Sequence, residues 1–268
     1  MPAIFAHWLL GEKSIKTLDA RKRAIILEHR ETFNLGLQGS DFTFFKNMGA
    51  DKEVSDFGNL LHDQPAVYSI KEFTKVYKTS KNPELLAYIL GFIGHFTLDT
   101  NCHWYVFSTE KDGVDHNELE TEFDRYLMIQ EGLNPAMVKI EEYIFPNASD
   151  LKNIAKLYEA FGEIPTEKFE QSFLDFYKFK KIIRKLQILP SFLINLTLKI
   201  FKKEHLFGIF MKKKTNKSLS KYINSLHNCF EKSLSMYPTL IENFMNSLDG
   251  AKLDTYFNRD FTRKGEND

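Results

Sequence analysis

From Gly91 to Trp104 the chain reads GFIGHFTLDTNCHW, which sets His95, Asp99 and His103 at two successive intervals of four. On a helix, residues four apart lie one above the other, so these three side chains share one face and can converge on a point. The spacing recurs downstream: in HNELETEFD, His116, Glu120 and Asp124 again stand four apart. A lone His-x-x-x-Asp pair is commonly a surface or capping feature, and a lone buried histidine is commonly a satisfied core residue. Two neighbouring helices carrying the same polar stripe predict helices packed with their ligand-bearing faces turned together.

The rest of the chain is consistent with helices throughout. Apolar residues recur every three or four positions over 5–30, and NLGLQGSDF at 34–42 breaks that pattern as a loop. Asn82-Pro83-Glu84 predicts a helix start, with Asn82 as cap, and the helix is expected to run to about His103; Asp115 is expected to cap the helix that follows. Further helices are expected at roughly 149–162, 166–187, 192–212 and 217–247, with no strand of convincing length. The expected fold is therefore all-α, a multi-helix bundle with a metal cluster in a cleft between helices. One helical domain is expected over 1–257, with residues 1–130 as its ligand-bearing half and residues 131–257 as a basic, Phe/Lys-rich half. A frayed polar tail is expected at 258–268.

Charge separates the halves. The totals are 36 basic and 36 acidic residues, yet 178–221 holds thirteen Lys or Arg and one acid, Glu204, leaving the remainder at a net −12. FKKIIRKLQ and LKIFKKEHLFGIFMKKK mix Lys with large apolar residues. Three readings follow: peripheral contact with anionic membrane through 178–221, a solvated face whose apolar residues point inward, or a groove for nucleic acid. Two cysteines are too few for a disulfide scaffold, and Cys102 is expected to be core. With no recognisable signal peptide and no apolar run of the ~20 residues needed to span a bilayer, the expected location is cytoplasmic or membrane-peripheral.

Beyond the two stripes, His7 follows Ala6 near the start, Asp41 closes the Gly-rich loop Gln38-Gly39-Ser40-Asp41, and His62 lies in GNLLHD. In order and spacing these motifs, with Gly94-His95, Asp99, His103 and His116-x-x-x-Glu120, resemble the zinc-dependent phospholipase C family, related to the S1/P1-type nucleases, over about residues 3–125. The resemblance implies one zinc held by Asp41, His62, His95 and Asp99, and a second held by His103, His116 and Glu120. It further implies that Asp99 bridges the first ion to a third, completed by His7 and the N-terminal backbone. Because the chain begins Met1-Pro2 where secreted members present a free tryptophan, that third ion is expected to be weak, substituted or absent, giving two or three Zn2+ in all. Asp124 is expected to orient a ligand histidine, Asp41 to double as a catalytic proton acceptor, and Phe42 to wall a substrate pocket.

These donors suit the metal: imidazoles with a few carboxylates and no thiolate favour zinc. A bound metal lowers the pKa of its water and so gives hydroxide near neutral pH, and paired metals clamp the attacking and departing oxygens of a phosphodiester. The expected activity is that of a zinc-dependent phosphoric diester hydrolase of phospholipase C type, with metal-bound hydroxide attacking a phospholipid or related phosphodiester. The alternatives are a zinc-dependent nuclease or nucleotide phosphodiesterase, and a non-catalytic, metal-stabilised helical module binding lipid or protein.

Overall fold

Helices account for every regular element among the described residues of the computed structural model, which are 4–144, 148–162, 164–187, 189–200 and 203–264. Eleven α-helices are described: α1 (Ile4–Ile15), α2 (Ala20–Glu28), α3 (Arg30–Gly36), α4 (Lys52–Asp63), α5 (Ala66–Ser80) and α6 (Pro83–Glu110), followed by α7 (His116–Gln130), α8 (Ala148–Glu159), α9 (Thr166–Leu186), α10 (Ser191–Ile200) and α11 (Ser220–Leu248). Short 3-10 segments join several of them, the longest being Asp41–Gly49.

The central strut is α6. Asn82 caps it by accepting from the Glu84 N–H at 2.9 Å, with Pro83 in the first turn where its missing N–H costs nothing. It runs one turn and more beyond the expected stop at His103, to Glu110, because nothing in YVFSTE breaks a helix. Most of its length is buried on all sides, including Phe92, His95, Phe96 and Asp99. A polar stripe can therefore face inward only if neighbouring helices supply partners.

One of those neighbours, α3, approaches unusually closely. A Cβ on Gly36 would fall 2.2 Å from the Tyr88 carbonyl oxygen, and one on Gly91 would fall 2.3 Å from that of Phe33. Backbone therefore meets backbone where α3 crosses α6, which pins the chain leaving α3 against the ligand-bearing helix. The helical spacing over 5–30 is divided between α1 and α2, and Asp19 accepts from the Lys22 N–H to start α2. The expected loop at 34–42 is shorter, since α3 runs to Gly36 and the 3-10 segment begins at Asp41. The helix expected over 192–212 stops at Ile200 and resumes as a 3-10 turn, Glu204–Ile209.

An aromatic core backs this arrangement. Phe42, Phe73, Tyr88, Tyr158 and Phe169 are all fully buried and meet largely edge to face, as between Phe42 and Tyr158 at 5.0 Å. Phe42 also stacks on Phe173 at 3.7 Å. The expectation that Phe42 walls an open pocket is thereby corrected: its ring is wholly spent on core packing.

The tail expected to fray from Asn258 packs onto the bundle through Lys264. Phe261 is fully buried between His62, His95, Phe92 and Phe96, and its N–H donates to the His62 carbonyl at 3.2 Å. Thr100 donates its hydroxyl to the Asp260 carbonyl at 2.9 Å, and Arg263 donates to that of Thr100. Two aromatic anchors, Phe257 and Phe261, hold down what composition alone describes as polar. Positions 265–268, and the Met1-Pro2 terminus, lie outside the described residues.

Candidate metal centre

Five segments deliver the predicted donors to one place. Helix α1 supplies His7, the start of the 3-10 segment supplies Asp41, α4 supplies His62, α6 supplies His95, Asp99 and His103, and α7 supplies His116 and Glu120. Three groups emerge whose ligand atoms lie within 4.8 Å of one another: Asp41, His62 and His95; His7, His95 and Asp99; and His103, His116 and Glu120.

The groups touch. Asp41 Oδ1 is 3.1 Å from His62 Nε2 and 3.8 Å from His95 Nε2. Asp99 sits in the middle, with Oδ2 at 3.1 Å from His95 Nε2 and Oδ1 at 3.2 Å from His7 Nε2 and 3.6 Å from His103 Nε2. Glu120 Oε1 completes the row, 3.1 Å from His103 Nε2 and 3.3 Å from His116 Nε2. All eight donors predicted to share a cluster are brought together.

The side chains hold one another's charge: the carboxyls are pushed down, and, against burial, His7, His62 and His116 are pushed up by the carboxylates beside them. Burial would raise the Asp41 carboxyl, but nearby His95 and the hydrogen bond from His62 hold it well below the usual carboxylate range. Burial acts the same way on Asp99 and Glu120, and the histidines beside each again win. His95 moves the other way: burial pushes its imidazole down to about 4, more than the carboxylates beside it can offset. Burial would lower His116, but attraction to Glu120 and hydrogen bonds to Glu120 and Glu110 raise it to about 9.

Several of these atoms are also unused. His7 Nδ1, both ring nitrogens of His95, Asp99 Oδ2, His103 Nδ1 and Glu120 Oε2 are buried without a well-formed hydrogen bond. Orphaned buried polar atoms cost on the order of 1–3 kcal/mol each, so their concentration at one point calls for an additional partner. Imidazoles and carboxylates without a thiolate make a set that fits zinc. His62 is prepared for this role: its Nδ1–H donates to the Gly58 carbonyl at 2.7 Å, leaving the Nε2 lone pair facing Asp41.

Asp124 is buried, and its place differs in kind from the expected contact with a histidine ring. Its two oxygens accept from the Phe5 N–H at 3.0 Å and the Ala6 N–H at 2.8 Å. It therefore ties down the first turn of α1, the turn that delivers His7. Burial pushes its carboxyl up to about 7, more than those two donors can offset.

Other supports were not legible in the sequence. The hydroxyls of Tyr88 and Tyr158 lie 2.6 Å apart, hydrogen-bonded to each other, and 2.9 and 3.2 Å from the Gly39 carbonyl oxygen, which accepts from the pair. Asp175 on α9 accepts from the Asn47 N–H at 2.9 Å, at a left-handed kink in the segment that begins with Asp41. At the open end, Phe107 lies 5.1 Å from His116, and the Lys264 ammonium stands 5.2 Å over the Phe107 ring, bringing a cation to the rim. Only the aromatic spacing of Phe257 and Phe261 hinted that this last segment would be held.

Gly39 has φ +56°, and a Cβ there would lie 2.0 Å from His95 Cδ2. Replacing Gly39 with alanine combines left-handed strain of about 1–2 kcal/mol with a displaced ligand ring. Urea unfolding of Gly39→Ala should therefore show a loss of roughly 3 kcal/mol, accompanied by a lower zinc content. A variant matching the parent in both would mean the loop has room that the geometry denies.

An all-α protein with a buried cluster of imidazoles and carboxylates on one central helix and its neighbours defines the class: a helical protein whose clustered His, Asp and Glu side chains could hold metal. The zinc dependent phospholipase C family matches the chain over residues 6–166, more than half its length, and the chain belongs to that family. That span contains all eight donors. Membership supports a phosphodiesterase-type hydrolase dependent on zinc. No curated protein and no solved structure matches the chain.

Proposed function

We propose that this chain is a phosphoric diester hydrolase of phospholipase C type whose substrate is a phospholipid or closely related phosphodiester. The observation that carries the reading is Asp99, a single carboxylate placed against His7, His95 and His103 at once. A carboxylate so shared joins neighbouring ions, whereas structural zinc sites are usually closed, four-coordinate and separate.

In this reading Asp41, His62, His95 and Asp99 would hold one ion, His103, His116 and Glu120 a second, and Asp99 with His7 a third. When bound, zinc supplies Lewis acidity toward phosphoryl oxygens and activates water near neutral pH. The chain's own residues position and dry the site. Gly58 fixes the His62 tautomer, Asp124 orients the turn bearing His7, and Phe261 closes the side of His95 to water. Asp41, beside His62 and His95, serves in this reading both as a ligand and as the candidate proton acceptor. His116, at the exposed end with Lys264 nearby, marks the face at which the phosphodiester enters.

The test is hydrolysis of phosphatidylcholine, phosphatidylglycerol and bis-p-nitrophenyl phosphate by zinc-loaded protein, with and without chelator. Phospholipid turnover that disappears on chelation and returns with zinc is expected. Fully zinc-loaded protein that turns over none of these diesters would point to a non-catalytic module, and cleavage of DNA or RNA in preference to lipid would move the substrate to nucleic acid.

A further inference from the structure

The second half of α9 and all of α10 present a surface that the site does not use. Three large apolar side chains on α10 stand in solvent: Phe192 is 69 % exposed, Leu196 55 % and Ile200 68 %. Ile182, Leu186 and Leu189 continue the apolar surface back onto α9 and the link between the helices. Only Ile194 of α10 is buried. Leaving each such side chain in water is unfavourable by about 1.5–3 kcal/mol relative to burial, and several large apolar side chains exposed on one short helix mark an interaction surface.

Charge decides what covers it. From Phe176 to Lys203 there is no Asp or Glu, while Lys178, Lys181, Arg184, Lys185, Lys199 and Lys203 flank the apolar residues. A second copy of this chain is a poor occupant, since a two-fold contact sets the same patch against itself and brings cation to cation. An anionic lipid surface satisfies both requirements: acyl chains receive the aromatic and aliphatic side chains, and headgroups receive the ammonium groups. The element is too short to do more than lie in the interface, as no described helix is long and apolar enough to cross a membrane.

We infer that α10, with the end of α9, is a membrane-docking element that inserts Phe192, Leu196 and Ile200 into an anionic lipid surface. This corrects the reading in which the apolar residues of the basic region all point inward. The other face of α9 packs Phe173 and Phe176 against Phe42 and Phe45, in the segment that begins with Asp41. Helix α9 thus joins the docking element to the segment that begins with Asp41. The inference does not require catalysis, so it stands or falls separately from the proposed reaction.

The experiment is cosedimentation of the zinc-loaded chain with vesicles of phosphatidylcholine alone and of equal parts phosphatidylcholine and phosphatidylglycerol. Binding to the mixed vesicles, weakened by salt, is expected. The triple variant Phe192→Ser/Leu196→Ser/Ile200→Ser should bind at least tenfold more weakly, and Lys181→Glu/Lys185→Glu/Lys199→Glu should lose a similar amount. Both variants alter exposed residues, so unchanged thermal unfolding and unchanged hydrolysis of bis-p-nitrophenyl phosphate show that the fold and centre survive. If soluble diester is not hydrolysed but vesicles are bound, the proposed reaction fails while the docking element stands. No binding by the parent, equal binding to neutral vesicles, or a dimer that the triple variant dissociates would each overturn the inference.

Discussion

Replacing Asp99 with asparagine should remove two zinc ions per chain at once. The substitution keeps the shape of the side chain and discards its charge. Both oxygens of Asp99 face imidazole nitrogens belonging to different donor groups, His95 on one side and His7 with His103 on the other. A neutral amide is a weak ligand for a divalent ion and cannot share charge between two. Phosphodiester hydrolysis is expected to fall by more than the 10–100-fold typical of perturbing a group that merely supports a ligand. Elemental analysis of freshly purified parent and variant, with circular dichroism to verify the fold, reads the result. If one ion or none is lost, the carboxylate is not shared, and the site reduces to separate mononuclear sites.

Stripping the metal from the parent should lower its thermal stability by a large margin. Buried Asp41, Asp99 and Glu120 keep their charge in the absence of an ion only because imidazoles stand beside them. A ligand present at about a thousand times its dissociation constant stabilises the native state by roughly 4 kcal/mol. For a chain of this size that corresponds to a rise in Tm of about 8–16 °C. Differential scanning calorimetry with chelator and with added zinc measures the shift, and coincident transitions would mean that the donors hold nothing.

The pH dependence separates the two forms. In chelated protein the His116 pKa, raised to about 9, belongs to the folded state. Its contribution to stability is complete below the unfolded value near 6.5 and fades as pH rises to 9. In zinc-loaded protein, protons compete with the ion for the same nitrogens, so stabilisation by zinc should weaken as pH falls. Opposite slopes of Tm against pH are the expected signature.

The donors were legible because a metal centre constrains sequence at short range. Helical intervals of four placed His95, Asp99 and His103 on one stripe, and the caps at Asn82 and Asp115 fixed where α6 and α7 begin. What supports the donors was hidden, because support is long-range. Tyr158 reaches Gly39 across 119 positions, and Asp175 reaches Asn47 across 128. No local pattern distinguishes those residues from ordinary core or surface positions. The same limit misread Phe42, which stands beside a donor in sequence yet points into aromatic packing. It also misread the end of the chain, where composition looked polar but two phenylalanines anchored it. On α10 the failure was different: periodicity reports an apolar face without saying whether protein covers it.

Phe261 carries a consequence for the order of events during synthesis. Ribosomes deliver residues 7–120, and with them every donor, well before this ring can dock against His62 and His95. A nascent chain therefore carries His62 and His95 without the aromatic cover that Phe261 later supplies, so the wall behind those two imidazoles is the last part of the site to be completed.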